Sequence, residues 1–160
     1  MKLEKNFQIA ADPEKVMNIM RDPKLIEEDE LARKTQKVIV KDLKNTKDVH
    51  SFEITTVTFV RGMSGVDTSK TQTNTNVMTW DLKKMESTWD YKDGGDFGPK
   101  IRINGGSKVA KKGTGTELTM KVNIDIDIPL LGGTIAKKVA QGFERGWPEY
   151  VERINKWLKK

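Results

Sequence analysis

The chain has no cysteine and a single histidine, His50, among 160 residues. The first absence excludes disulfides, thiolate metal sites and cysteine nucleophiles together. The second leaves no histidine-based metal site or catalytic triad without unusual partners. Long apolar runs are missing too: the longest nearly uninterrupted one, Ile126 to Leu131, is far too short to cross a bilayer. The N-terminus, Met1-Lys2-Leu3-Glu4-Lys5-Asn6, has no apolar core and no small-residue cleavage site. No secretory signal is therefore expected, and the cytoplasm is the simplest location. The Lys112-Gly-Thr-Gly-Thr116 stretch lacks the GxxxxGK[ST] spacing of a phosphate-cradling loop and joins two strands rather than a strand and a helix. Nothing reads as a linker, a repeat or a low-complexity segment. Residues 1–160 are expected to form one domain, burying about two-thirds of its unfolded surface.

Charge is what the chain has in quantity. Charged residues make up 32% and hydrophobic residues 36%, which suits a small folded domain with a heavily charged exterior. A net charge of +6 raises the question of an anionic partner. The lysines, however, are scattered and mostly sit beside acids. The dense spots, Lys108-Val109-Ala110-Lys111-Lys112 and Lys159-Lys160, do not interleave basic and aromatic residues as a base-stacking surface would. That argues against nucleic acid and leaves peripheral membrane contact open.

Periodicity supplies the elements. Lys2 to Ala10 reads as a strand with Leu3, Phe7 and Ile9. Asp12 as N-cap and Pro13 at the first helical position start a short helix carrying Val16, Met17, Ile19 and Met20. Asp22-Pro23 ends it, and Lys24 to Ala32 forms a second. From Gln36 the period becomes two. Strands are expected over Lys37–Lys44, Val49–Val60, Thr71–Leu82, Glu86–Lys92, Lys100–Lys111 and Glu117–Ile128, with Arg61–Lys70 as a loop. A bulge near Gly105-Gly106 would flip the alternation there. Thr134 to Lys160 reads as one long helix. Ile135, Ala136, Val139, Ala140, Phe143, Trp147, Tyr150, Val151, Ile154, Trp157 and Leu158 fall within an arc of about 160° on it.

The pattern predicts an α+β fold: a curved antiparallel sheet of about six to seven strands wrapped around a long C-terminal helix, with two short helices after strand 1. Pro148 should kink the long helix near Glu144 to Trp147. Gly142 and Gly146 lie at one edge of its buried arc. On one reading these glycines let the helix sit close to the sheet. On the other, kink and glycines leave room for a ligand between helix and sheet.

The opening strand, the helix starting Ala11-Asp12-Pro13-Glu14-Lys15-Val16 and the following Asp22-Pro23 resemble the entry of the START-like (SRPBCC, helix-grip) superfamily. The alternating last strand, Ile128-Pro129-Leu130-Leu131-Gly132-Gly133 and the closing helix resemble its exit. The similarity is greatest to its uncharacterised bacterial single-domain branch. It implies a deep cavity between sheet and C-terminal helix, and members that bind lipids, sterols or polyketides or act as cyclases or dehydratases. It carries over no catalytic residue.

Alternation places Phe52, Ile54, Thr56, Thr58, Met78, Trp80, Trp89, Tyr91, Met120, Val122 and Ile124 on the inner face of the sheet, and Val139, Phe143, Trp147 and Tyr150 on the facing side of the helix. Aromatics, methionine and a few hydroxyls suit an apolar ligand with one or two polar groups, although plain core packing uses the same residues. Asp125 and Asp127 share a strand face with Lys121 and Asn123 and read as solvated. His50, beside a turn, reads as a surface residue, unless alternation puts it with Phe52 and Ile54 at a pocket mouth.

The function expected is binding or carriage of a hydrophobic small molecule or lipid. A cyclase, dehydratase or isomerase acting in the same cavity, and an interaction module using the basic exterior, are the alternatives. No catalytic residue, cofactor or metal is expected, and the chain is expected to be a monomer.

Overall fold

Alternating strands build one curved sheet, and the closing helix lies in its concave side. The structure, a computed structural model, describes residues 1–62 and 65–160. The strands are β1 (Lys2–Ile9), β2 (Lys37–Asn45), β3 (Val49–Gly62), β4 (Gly65–Asp81), β5 (Glu86–Lys92), β6 (Ile101–Lys112) and β7 (Gly115–Ile126). They form a seven-stranded antiparallel sheet in the order β1-β7-β6-β5-β4-β3-β2. Strand β1 returns to pair with β7, from Lys2 opposite Asn123 to Ile9 opposite Thr116. The two short helices, α1 (Pro13–Met20) and α2 (Pro23–Ala32), and the long α3 (Gly132–Leu158) complete the helix-grip fold.

The short helices begin where the Asp-Pro pairs predict. Asp22 caps α2 by accepting a bond from the Lys24 amide at 2.9 Å, whereas Asp12 at the start of α1 makes no such bond. Their apolar sides bury Val16, Met17, Met20, Leu25 and Ile26. Helix α3 presses Ala136, Ala140, Trp147, Val151 and Ile154 toward the inward series of β7, Leu118, Met120, Val122, Ile124 and Ile126, and also meets β1, α1 and α2. At roughly 1.5 Å per residue it spans about 40 Å. It stays a single helix through Pro148, which is exposed, so the carbonyl deprived of its partner faces water.

One expectation is corrected and two open points are decided. The segment Arg61–Lys70 is not a loop in its described part: β3 runs to Gly62 and β4 starts at Gly65, while Met63 and Ser64 lie outside the described residues. The strand continues through this glycine- and serine-rich composition because β4 bulges, with Phe59 opposite Thr71 but Val60 opposite Asp67. Within the bulge Ser69 donates its amide and hydroxyl to the Asp67 carboxylate at 2.9 and 2.5 Å. Gly105 and Gly106 form no bulge; β6 pairs without interruption with β7. Gly142 and Gly146 do not bring α3 onto the sheet, since a Cβ at either would meet nothing within 4 Å.

Two polar clusters fasten the helices. Asp29 of α2 accepts from Arg153 of α3 and from Arg33 at 2.8 Å. Arg21, after α1, donates to His50 Nδ1 at 3.0 Å, and His50 Nε2 donates to Asp42 at 2.8 Å. This arrangement requires the proton on Nε2. His50 is 4% exposed and packs on Phe52, so the surface reading of it is wrong, and alternation puts it on the same face as Phe52; it lines neither of the concavities described below. The bond from His50 is the main reason the Asp42 carboxyl is held below its usual range.

Candidate functional site

Residues paired across antiparallel strands share a face, so the register gives the concave surface row by row. One row runs Phe52, Met78, Trp89, Gly105, Val122 and Leu3. The next runs Ile54, Asn76, Tyr91, Ile103 and Ile124. Thr56 pairs with Asn74 beyond them, and Thr58 with Gln72. The surface therefore grades from apolar to polar along the strands.

Gly105 explains the first row. A Cβ there would stand 2.7 Å from the Trp89 ring, so the missing side chain is what lets the indole lie across β6. From that position Trp89 stacks on Phe143 of α3, ring centroids 6.0 Å apart at 23°. Phe143 meets Trp147 at 5.7 Å and 55°. This aromatic ladder joins sheet to helix with favourable offset geometry.

Burial divides the residues chosen from the sequence. Phe52, Ile54, Thr56, Trp80, Met120, Val122, Ile124 and Trp147 are buried in the core. Thr58, Met78, Trp89, Tyr91, Val139, Phe143 and Tyr150 keep accessible surface. Trp89, Phe143 and the row neighbours Met78 and Tyr91 come together. Tyr150 makes no aromatic contact with them among the described residues, and its hydroxyl feels the charges of Asp29 on α2 and of Arg33 just after it.

At the polar end the side chains satisfy one another. Tyr91 donates its hydroxyl to Asp93 Oδ1 at 3.0 Å, and Gln72 Nε2 donates to the same oxygen at 3.0 Å and to Asn74 Oδ1 at 2.7 Å. Asn74 Nδ2 donates to Thr58 at 3.0 Å, and the Gly94 and Gly95 amides bond Asn74 Oδ1 and Asp93 Oδ2. Gln72, Asn74, Asn76 and Asp93 escaped the sequence reading because polar residues in a strand resemble a solvent face. The usable signal was parity: 72, 74 and 76 continue the inward phase of Met78 and Trp80.

Burial, reinforced by the Asp93 charge, pushes the Tyr91 hydroxyl well above its ordinary value, and burial does the same to Tyr150. A raised folded-state value means the contribution to stability is complete below the unfolded tyrosine pKa of about 10 and is lost as pH rises through the folded values. Denaturation melts between pH 8 and 11.5 should show stability falling above pH 10. The Tyr91→Phe/Tyr150→Phe double variant should fall less steeply; an unchanged alkaline limb would contradict the burial of both hydroxyls.

Two concavities lie away from the aromatic ladder. A concavity of about 1100 Å³ lies at the mouth of the grip, between the β3–β4 arm and the β5–β6 connection, lined by Val60, Asp67, Lys70, Gln72, Gly94 and Asp96 among others. None of the residues chosen from the sequence lines it. It shares Gln72 with the polar end of the inner face. A second groove, about 570 Å³, runs between the start of α1 and Lys83, Lys84, Lys108 and Lys111. Lys83, Lys108 and Lys111 each have an acidic neighbour (Asp48 at 3.5 Å, Glu86 at 3.7 Å and Asp12 at 3.7 Å), as expected of a solvated surface. No helix among the described residues is long and apolar enough to cross a membrane.

A family model described as "Protein of unknown function (DUF2505)" matches residues 4–158. No curated protein matches the chain in sequence. Among solved structures, a similar one is the Zhui aromatase/cyclase from Streptomyces sp. R1128. It is 13% identical, with 99% of this chain and 93% of that chain covered and a TM-score of 0.63. The protein TTHA0849 from Thermus thermophilus is 14% identical, with 98% and 95% covered and a TM-score of 0.64. Ara h 8.0201 is 15% identical, with 100% and 99% covered and a TM-score of 0.62. Likeness at such identity carries the fold alone, and the fold is helix-grip.

Proposed function

We propose that this chain, which belongs to the DUF2505 family of proteins of unknown function, binds or carries a hydrophobic small molecule or lipid between the concave sheet and α3. The observation that carries the reading is the uneven burial of the inner face. Met78, Trp89, Tyr91, Val139 and Phe143 keep accessible surface, while Phe52, Ile54, Val122 and Ile124 in the same rows of the sheet are buried. An apolar wall with a polar end is the lining that an apolar ligand with a polar group needs. The outer concavity, which shares Gln72 with this polar end, is the route of entry we propose. Similar folds include a protein named as an aromatase/cyclase, which is compatible with this ligand class. We also place the chain in the uncharacterised bacterial single-domain branch of the START-like superfamily, acting as a cytoplasmic monomer.

Native mass spectrometry of freshly purified protein, followed by organic extraction, tests the reading. A discrete apolar molecule released from the folded protein is the expected result. Protein that extracts clean and does not respond to neutral apolar probes would overturn it and shift attention to the charged exterior.

One observation favours a second reading, catalysis of the cyclase, dehydratase or isomerase kind. Such chemistry needs an ionisable group on the interior wall, and the Tyr91–Asp93 pair is one. Its upward-shifted hydroxyl is a weak acid, which ranks binding ahead of catalysis.

A further inference from the structure

We infer that Asn76 reads the polar group of the ligand, its side-chain oxygen accepting a hydrogen bond from a hydroxyl or N–H on an otherwise flat, apolar molecule. This inference rests on the interior being a ligand site. Among the described residues, the buried side-chain polar atoms without a hydrogen-bond partner are Asn76 Oδ1, Trp80 Nε1 and Ser87 Oγ. They are not scattered. Asn76 and Trp80 have the same parity on β4, and Ser87 is the cross-strand partner of Trp80 on β5. Native proteins keep few such atoms, because each forfeits its hydration without compensation.

Position separates the three. Trp80 and Ser87 are 0% and 5% exposed, so nothing in the interior reaches them without repacking. Asn76 is only partly buried and lies between Ile54 and Tyr91, one step along the strand from Met78 and Trp89. Thr58, Gln72, Asn74, Tyr91 and Asp93 bond among themselves and leave the Asn76 oxygen as the acceptor without a donor. That oxygen is sheltered in the ligand-free protein. The terminal torsion of asparagine is broad, so a modest rotation turns it inward. The neighbouring surface decides the rest of the ligand. Trp89 stacked on Phe143, with Met78 beside Trp89 in the same row, presents a flat apolar wall, and its complement is an aromatic or fused-ring molecule with a donor at one edge. The Asp93 carboxylate beside Tyr91 favours a neutral donor over an anionic group.

The test uses two probes of nearly equal size, 2-naphthol and naphthalene, bound to wild-type protein and to Asn76→Leu by equilibrium dialysis. Comparing the two ratios cancels the cost of dehydrating the hydroxyl. The preference for 2-naphthol should fall about tenfold in the variant, the worth of one neutral hydrogen bond, while naphthalene binds at least as tightly. The melting temperature of the ligand-free variant should rise, since leucine removes the unpaired acceptor. Asn76→Ala serves the same comparison if leucine disturbs packing. An unchanged preference would overturn the role of Asn76 and leave the ligand site standing. Failure of both probes to bind wild-type protein would remove the ligand site and this inference with it.

Discussion

Asp29→Ala is expected to destabilise the protein by about 3 kcal/mol, because breaking a buried ion pair strands its partner. The Asp29 side chain is 9% exposed and that of Arg153 20% exposed, so alanine leaves an arginine held between α2 and α3 without its counter-ion. Arg33, 45% exposed, turns to water and loses little. Burial raises the Asp29 carboxyl above its usual range and outweighs the two arginines, which pull it down. With the folded-state value raised, the linkage contribution is full below the unfolded aspartate pKa near 4 and is lost as pH rises through the folded value. The pair therefore specifies how α2 docks more than it adds net stability at neutral pH. Asp29→Asn should cost less than alanine, since the amide oxygen still accepts from Arg153. Urea unfolding at pH 7 compares the two. An alanine variant within about 0.5 kcal/mol of wild type, the range of an ordinary surface substitution, would mean the contact does not hold the helices together.

Gly105→Ala should be at least as damaging, about 3 kcal/mol or more, because it meets backbone rather than a movable side chain. The added Cβ would lie 2.1 Å from the Lys121 carbonyl oxygen and 2.7 Å from the Trp89 ring. Either β6 parts from β7 or the indole leaves its place against Phe143. Gly142→Ala supplies a control of opposite sign. Its Cβ would meet nothing within 4 Å, so alanine should stabilise α3 by about 0.5–1 kcal/mol. Urea midpoints measured together with near-ultraviolet circular dichroism distinguish loss of the Trp89 environment from global loosening. Equal midpoints for the two variants would remove Gly105 from its role in seating Trp89.

Most of the fold was legible because it follows from periodicity. Alternation from Leu118 to Ile126 and the apolar arc from Ile135 to Leu158 each have one solution: a one-sided strand and a one-sided helix that meet. The Asp-Pro pairs at 12–13 and 22–23 fix the two helix starts. The arm formed by β3 and β4 was misread because glycine, serine and aspartate signal a loop, and a bulge that lets a strand continue leaves no such mark. The apolar half of the candidate site was legible for the same reason as the core, since Trp89, Tyr91 and Phe143 sit at inward positions. Alternation could not say which inward residues stay accessible; that depends on how far the sheet curls away from α3. The polar half, Gln72, Asn74, Asn76 and Asp93, was hidden because composition overrode parity. His50 was misassigned because a residue beside a turn reads as solvated, although its parity with Phe52 on the strand points it inward.

The most direct test of an interior ligand site is the set of four tryptophan indole N–H signals in a nitrogen–proton correlation spectrum, followed while neutral 1-aminoanthracene is added. The tryptophans occupy distinct places: Trp89 partly accessible on the inner face, Trp147 beside Phe143, Trp80 sealed in the core, and Trp157 bonded to Glu28 on the outside at 2.6 Å. Binding between sheet and helix predicts a large saturable shift of Trp89, a smaller one of Trp147 and none of Trp157. A shift of Trp157 alone, or no shift in any indole while the probe binds elsewhere, would contradict it.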